Sequence, residues 1–394
     1  MKTLFQIFLF ASFSISQALA NIAASDDEEV RYFTKIVGII SPFIDYTLVG
    51  EIDSSSTSAL NHYKVSYDAR GRVKTIAYFH GIHPSEDSYF YAHEVRYSYA
   101  KDIMSRRYFD MNGAPKAMWR HYYMGGDIHH EQFKQSQEHV ELTLYSTAGE
   151  PVETGLNAYK FVKKEKDLAQ FIQTQYDKNE TPVVLTNYFP FETSLIVLDE
   201  KGYLNSIINL NPNTEKVENH AIAEFSHVAF DFDEFGNELG WTFLNTNGER
   251  VNRPSVIESP GYAEWTYEFE WKNRKIGTYH SFEMRYFEKD GKQYCPDNHV
   301  CVTRYETDSF GDYSAQSFHQ VDGALVLNPD VGYAKVTIIR DGRGRRIESR
   351  YFGADGQLRT ADVAVRRYEY KPDGSEIVVE YDANMNQILT NDPR

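Results

Sequence analysis

The chain has 394 residues, a formal charge of −16 and 41% hydrophobic residues, including 29 tyrosines and 25 phenylalanines. This acidity argues against nucleic acid as a partner, because phosphate groups repel a negatively charged surface. The aromatic content favours β structure, since aromatic side chains fit a pleated, half-buried surface.

Residues 1–20 have the pattern of a secretory signal peptide. Lys2 precedes an apolar run over residues 4–15, and Ala18-Leu19-Ala20 provides the small residues of a cleavage site. We therefore expect the mature chain to begin near Asn21 and to act in the periplasm or outside the cell. No later segment reaches the roughly 18 apolar residues of a membrane-spanning helix.

A repeat begins after residues 21–61, which we interpret as an N-terminal cap segment. Arg107–Gly113, with the sequence RYFDMNG, recurs as Arg285–Gly291 and as Arg350–Gly356. A second element, Asp-x-x-Gly, precedes it in the last copy at Asp341–Gly344. Asn-Gly and Asp-Gly supply the left-handed backbone of tight hairpin turns, so each unit is predicted to be a β-hairpin.

The predicted fold is all-β: tandem antiparallel β-hairpin repeats form an extended or curled sheet, with a short helix near the middle. Hairpin repeats occupy residues 62–157 and 191–394, and an irregular or helical insertion occupies 158–190. We place the hairpins near residues 62–79, 93–117, 139–153, 194–210, 227–251, 262–293, 301–327, 333–358 and 364–389. The helix is predicted around Asp167 to Asp177, where Leu168, Phe171 and Ile172 have helical spacing.

Two polar clusters are candidates for metal binding. Gly125 to Glu131, with His129 and His130, is the densest group of histidine and carboxylate. Its spacing matches no zinc motif, which favours a solvated polar loop. The acidic run Asp231 to Asn237 is interrupted by phenylalanines, which favours a strand and turn over a calcium loop. The sequence therefore predicts no metal site and no cofactor.

An aromatic stripe is the predicted binding surface. Residues Trp265, Tyr267, Phe269 and Trp271 alternate along one strand and so share one face. Such a stripe, if exposed, would stack sugar rings or hold a partner protein. The alternative is that this face is part of the core.

The two cysteines, Cys295 and Cys301, flank a loop of five residues. In an exported protein, two cysteines this close predict a loop-closing disulfide. A metal site that uses both thiolates and His299 is the alternative, but four good ligands are not in view.

The segment Arg367–Gly374, followed by Glu380-Tyr381-Asp382, resembles the Tyr-Asp hairpin repeats of RHS-type proteins. The resemblance covers about two-thirds of the mature chain. In RHS proteins such repeats wind into a shell around a toxin. The resemblance implies a β-sheet scaffold and names no activity.

The sequence favours a non-enzymatic function. The leading hypothesis is a binding or scaffold module for envelope glycan or protein, because a repeat array is present without a nucleophile elbow or a phosphate loop. One alternative is an envelope polysaccharide-processing enzyme with a carboxylate pair in a groove. Another alternative is a secreted toxin or effector component.

Overall fold

The computed structural model describes residues 29–37, 40–119, 123, 125–254, 261–295, 300–359, 363–371 and 375–388. The predicted signal peptide, the loop 296–299 between the cysteines and residues 372–374 of the repeat-like segment Arg367–Gly374 lie outside the described residues. Within these ranges, no helix is long and apolar enough to cross a membrane.

Strands account for nearly all regular structure in the described ranges. The first twelve are β1 Val30–Val37, β2 Thr47–Ile52, β3 Asn61–Tyr67, β4 Val73–His80, β5 His83–Pro84, β6 Glu94–Ala100, β7 Ile103–Phe109, β8 His130–Gln135, β9 Val140–Tyr145, β10 Lys160–Glu165, β11 Gln170–Tyr176 and β12 Thr193–Leu198. They are followed by β13 Leu204–Asn209, β14 His227–Phe232, β15 Glu238–Leu244, β16 Glu264–Asn273, β17 Thr278–Phe287, β18 Val302–Thr307, β19 Tyr313–His319, β20 Lys335–Arg340, β21 Arg346–Phe352, β22 Val365–Tyr370, β23 Glu376–Tyr381 and β24 Gln387–Ile388. Two short 3₁₀ helices span Ser54–Ala59 and Arg274–Ile276.

All pairings are antiparallel, and they join the described strands into one sheet. The order begins β2-β1-β3-β4-β6, with the two-residue strand β5 beside β4. From β6 onward each strand pairs with the next strand in the chain. The prediction of tandem antiparallel hairpins is confirmed.

The tight turns share one geometry, seen at Asp341. Its Oδ1 accepts the backbone N–H groups of Arg343 at 2.9 Å and Arg345 at 3.0 Å. Gly344 donates its N–H to the Asp341 carbonyl and has φ +80°, where an L side chain is strained. The same side-chain contacts recur at Asp68, Asp110, Asp177, Asp199, Asp233 and Asp382. Asp233 is thus a turn residue, as the sequence favoured.

The predicted helix from Asp167 to Asp177 is wrong, because this segment forms a turn and strand β11. Leu168 lies in the turn with 79% of its surface exposed. Phe171 and Ile172 are adjacent on the strand, point to opposite faces, and are both buried. A strand that is buried on both faces loses its alternating pattern, so its apolar spacing imitates a helix.

The sheet curls until its later hairpin turns meet its first strands. We call these long-range contacts the seam. Thr34 Oγ1 donates to the Ile276 carbonyl at 2.5 Å, and Lys35 donates to the Asn237 side chain. Further along, Asn61 Nδ2 donates to Asp312 Oδ1 at 2.8 Å. The turns that follow β14, β16 and β18 therefore meet the β1–β3 region, which makes the sheet a curled ribbon.

The hydrophobic core lies on one face of this ribbon, which we call the concave face. Strand pairing carries a continuous row of side chains across it from Val65 through Phe161 to Trp265. The opposite face carries charged pairs, such as Arg285 with Glu268 and Arg304 with Glu283. This separation of apolar and charged faces follows the two-residue period of a strand.

Candidate functional site

The first half of the concave face is covered by the chain itself. Residues 40–46, here called the inner segment, leave β1 and lie across strands β7 to β11. Phe43 packs edge-on against Phe133 and Phe171, with ring centroids 6.0 and 6.4 Å apart. Ser41 Oγ donates to Gln173 Oε1 at 2.5 Å. The interior of this half is therefore filled by a short, mainly apolar segment with a turn at residues 41–44, which a hydrogen bond from the Ile44 N–H to the Ser41 carbonyl closes at 3.2 Å.

A buried ion pair holds the inner segment in place. Arg106 Nε lies 2.8 Å from Glu131 Oε2, and their side chains are 1% and 0% exposed. Arg106 also donates to the Pro42 carbonyl at 2.8 Å. Tyr123 donates to Glu131 Oε1 at 2.5 Å, and Tyr108 donates to the other oxygen. These hydrogen bonds offset the free-energy cost of removing both charges from water.

These contacts correct the interpretation of Gly125 to Glu131 as a solvated polar loop. Glu131 is a core residue, and His129 is buried as well. His130 stacks on Tyr145 with centroids 5.1 Å apart, and burial lowers its pKa to about 4. In the part of the chain that the structure describes, no three histidine, cysteine or acidic side chains gather to hold a metal ion.

The second half of the concave face is lined by aromatic side chains that the described chain leaves partly open. We call it the aromatic groove. Phe282 stacks on Tyr305 at 4.8 Å, and Tyr305 meets Tyr313 at 5.2 Å. Tyr313 is 45% exposed. Between β18 and β21 the groove encloses about 200 Å³, and its lining includes Tyr305, Tyr313, Gln316, Tyr333, Ile338, Arg346 and Tyr351.

The four predicted binding residues share the concave face, but their exposure differs. Trp265 is 6% exposed and packs on Trp241 at 4.3 Å, so it is part of the core. Tyr267, Phe269 and Trp271 are partly exposed at the start of the groove. Phe269 stacks on Trp271 at 4.3 Å. The structure therefore joins these three to the aromatic groove, and the binding role of all four stays a prediction.

Glu238 is a groove residue that the sequence analysis missed. Trp241 Nε1 donates to Glu238 Oε1 at 2.8 Å, and the Tyr267 hydroxyl also reaches the carboxyl. Burial raises the pKa of Glu238 to about 7, and the Trp241 hydrogen bond and Lys35 counter part of this shift. A β-bulge between Asp231 and Phe232 brings this glutamate to the concave face. A bulge leaves no reliable sequence signal, so alternation alone could not place Glu238.

A second cavity lies on the other face of β11 and β12. It has a volume of about 320 Å³, and its lining includes Lys164, Thr174, Glu192 and Glu215. Lys166 and Glu215 form an ion pair at its rim. Its walls are mainly polar, and no row of aromatic rings lines it, so it is the weaker candidate for a binding site.

The two cysteines form a disulfide between Cys295 and Cys301, whose Cα atoms are 4.5 Å apart. The bond closes the connection between β17 and β18. Gln293 donates to the Cys301 carbonyl at 3.1 Å, which ties the preceding loop to the same place. The disulfide fixes the connection between two strands that contribute to the groove.

Comparison with known proteins finds no matching family model and no matching curated protein. Similar solved structures include a TcdB2-TccC3-TEV structure, with 12% identity over 85% of this chain and a TM-score of 0.22. They also include TcdB2-TccC3, with 10% identity over 81% of this chain, and TcdB2-TccC3-Cdc42, with 9% identity over 81%; both have a TM-score of 0.18. This chain covers 19–20% of those chains.

Proposed function

We propose that this protein is an exported, non-catalytic binding protein whose aromatic groove holds a short apolar segment of a partner polypeptide. One observation carries the proposal. The concave face is continuous, and its first half already binds such a segment, residues 40–46. Its second half carries the same kind of aromatic lining, and Tyr313 there is 45% exposed.

The lining of the groove supports a polypeptide ligand. Tyrosine rings offer a large apolar surface at little entropic cost, and each hydroxyl provides a hydrogen-bonding group at its edge. Gln316 donates to the Tyr305 hydroxyl at 2.9 Å, so polar groups are also present among the rings. A short apolar segment would bury its side chains on the rings and satisfy its backbone at these polar groups.

The setting of this function is part of the same proposal. The signal-peptide pattern of residues 1–20 and the disulfide favour action in the periplasm or outside the cell. The repeated aspartate turns favour a relation to the Tyr-Asp repeats of RHS-type proteins, in which the ribbon is a scaffold. The partner would be an envelope protein or a secreted polypeptide of the same system.

A labelled peptide with the sequence of residues 40–46 is the probe for this function. It is titrated into the purified protein and followed by fluorescence anisotropy. We expect saturable binding that weakens at least about tenfold in Tyr313→Ser and in Ile338→Ser, because both changes remove apolar groove surface. Ile339→Ser is the matched control, since Ile339 is the next residue on the strand and is exposed on the other face.

The absence of saturable binding, or an equal loss in Ile339→Ser, would overturn the proposal. An oligosaccharide that binds with the same dependence on Tyr313 and Ile338 would replace the polypeptide with a glycan. Release of soluble fragments from envelope polysaccharide by the wild type, lost in Glu238→Gln, would contradict the non-catalytic role.

A further inference from the structure

We infer that Glu238 is the specificity anchor of the aromatic groove and receives an arginine or lysine side chain of the bound segment. The inference rests on the proposed function and adds the chemistry of one ligand side chain. The carboxyl already accepts the Trp241 N–H, and the inference gives it a second role, toward the ligand.

The immediate surroundings of Glu238 suit a cation. Its carboxyl lies beside the indole of Trp241 and the phenol of Tyr267. Tyr267 in turn contacts Phe269 and Phe282, with centroids 6.1 and 5.6 Å apart. Aromatic faces attract a cation through their quadrupoles, and a carboxylate among them adds a charge-assisted hydrogen bond. A guanidinium or ammonium group would use both features together.

The concave face already contains this arrangement in its closed half. The guanidinium of Arg106 is bonded to Glu131 and lies 4.6 Å from the ring centroid of Phe133 and 5.0 Å from that of Tyr46. Tyr46 belongs to the inner segment. A carboxyl, a guanidinium and rings from both the sheet and the bound segment thus form one cluster. At Glu238 the carboxyl and the rings of the sheet are present, and the ligand would supply the cation.

The described chain already places one cation, Lys35, near Glu238, and the ligand would add a second. Lys35 faces it from β1, but its Nζ donates to the Asn237 side chain. Burial lowers the pKa of Lys35 to about 8, and the nearby Asp233 and Glu238 act in the opposite direction. Asp233 is held by Arg274 at 2.8 Å in the turn. Tyr267 and Tyr313 are the other titratable groups that face the carboxyl, and the removal of water from around their hydroxyl groups keeps the pKa of both well above 10, although the ring of Tyr313 is partly exposed.

The direction of the pH effect follows from these surroundings. In the free protein the pKa of Glu238 is about 7, so the carboxyl is largely protonated at about pH 6 and largely ionised at about pH 8. A bound cation favours the ionised form. At the lower pH it must first displace the proton, so the preference for a cationic ligand increases as pH rises through 7.

The test uses two versions of the peptide with the sequence of residues 40–46. Arginine replaces its aspartate in one version, and citrulline, a neutral isostere, replaces it in the other. With the purified wild type we expect the arginine peptide to bind about tenfold tighter than the citrulline peptide at about pH 8, with a smaller ratio at about pH 6. Glu238→Gln should bind both peptides equally at both pH values. Glu268→Gln, which changes the charged face of the adjacent strand β16, should retain the preference.

The outcomes separate this inference from the proposed function. Equal binding of the two peptides to the wild type, with binding still weakened by Ile338→Ser, overturns the role of Glu238 and leaves the groove as a binding site. A preference that survives in Glu238→Gln also overturns it. If neither peptide binds to the wild type, the proposal that the groove is a binding site is contradicted.

Discussion

At the scale of single residues, the repeat depends on a short list of turn positions. In the turns that begin at Asp68, Asp110, Asp177, Asp199, Asp233, Asp341 and Asp382, the aspartate carboxylate accepts two backbone N–H groups, and the residue three places later has a left-handed backbone. This residue is glycine at 71, 113, 202, 236 and 344, and it is Glu180 and Met385 in the other two turns. The two requirements explain why the sequence repeats Asp-x-x-Gly and varies freely between these positions.

Three glycines near residues 342–356 separate two effects of an added Cβ: strain of a left-handed backbone and contact with neighbouring atoms. Gly342→Ala should leave stability unchanged, because its φ is not in the left-handed region and no atom lies within 4 Å of the added Cβ. Gly356→Ala should cost about 1–2 kcal/mol, since φ is +74° in open space. Gly344→Ala should cost more, because its φ is +80° and the added Cβ would also lie 2.7 Å from the His80 ring.

Denaturant unfolding of the three variants measures this order. Equal stability of the Gly344→Ala and Gly356→Ala proteins would show that the contact of Gly344 with His80 does not constrain the fold. Equal stability of Gly342→Ala and Gly356→Ala would contradict the role of the left-handed turn.

At the scale of elements, the inner segment and strands β7 and β8 form one packed unit. The buried pair Arg106 and Glu131 joins them, because Arg106 also binds the Pro42 carbonyl of the inner segment. Removal of one member leaves the other charged and buried. Removal of both leaves an apolar site that hydrophobic side chains can fill.

Arg106→Ala should therefore destabilise the protein by about 3–5 kcal/mol. The double change Arg106→Met with Glu131→Leu should cost far less, because no unpaired charge remains. Unfolding free energies of the single and double variants provide the check. A double variant as unstable as Arg106→Ala would show that the hydrogen bonds of this pair, and not its charges, hold the inner segment.

The elements also show which parts of the fold a sequence can predict. Hairpins with Asp-x-x-Gly turns, such as Asp68 and Asp341, were placed correctly because their turn chemistry is local. The predicted hairpin near 139–153 lies too far toward the C-terminus, since the strands that form this hairpin are β8 and β9. Strand β11 was missed because both of its faces are buried. The inner segment and Glu238 depend on long-range packing and a bulge, and neither leaves a local pattern.

At the scale of the whole molecule, the seam decides whether the ribbon stays curled. Asp312 is its most connected residue: it accepts from Asn61 at 2.8 Å and pairs with His80 at 2.9 Å. The Asn61 backbone also donates to the Phe310 carbonyl. These bonds join strands β3 and β4 to the turn after β18, which is more than 200 residues away in the sequence.

Asp312→Ala should loosen the seam without unfolding the hairpins. We expect faster amide exchange at Asn61 and in the turn after β18, with the core of β8 to β13 unchanged, because about 1–3 kcal/mol of hydrogen bonding is lost there. Asp355→Ala is the control, since Asp355 bonds only within its own turn in the described structure. Identical exchange in the two variants would show that the seam adds nothing to the curl.

The position of the inner segment in the chain has a consequence for synthesis. Residues 40–46 precede strands β6 to β11 in the chain, so they emerge first during synthesis and again during the export that the signal-peptide pattern predicts. Strands β7 to β11 can therefore pack onto an apolar segment that is already present. The width of this segment would then set the curvature of strands β7 to β11, onto which the later strands are added in chain order.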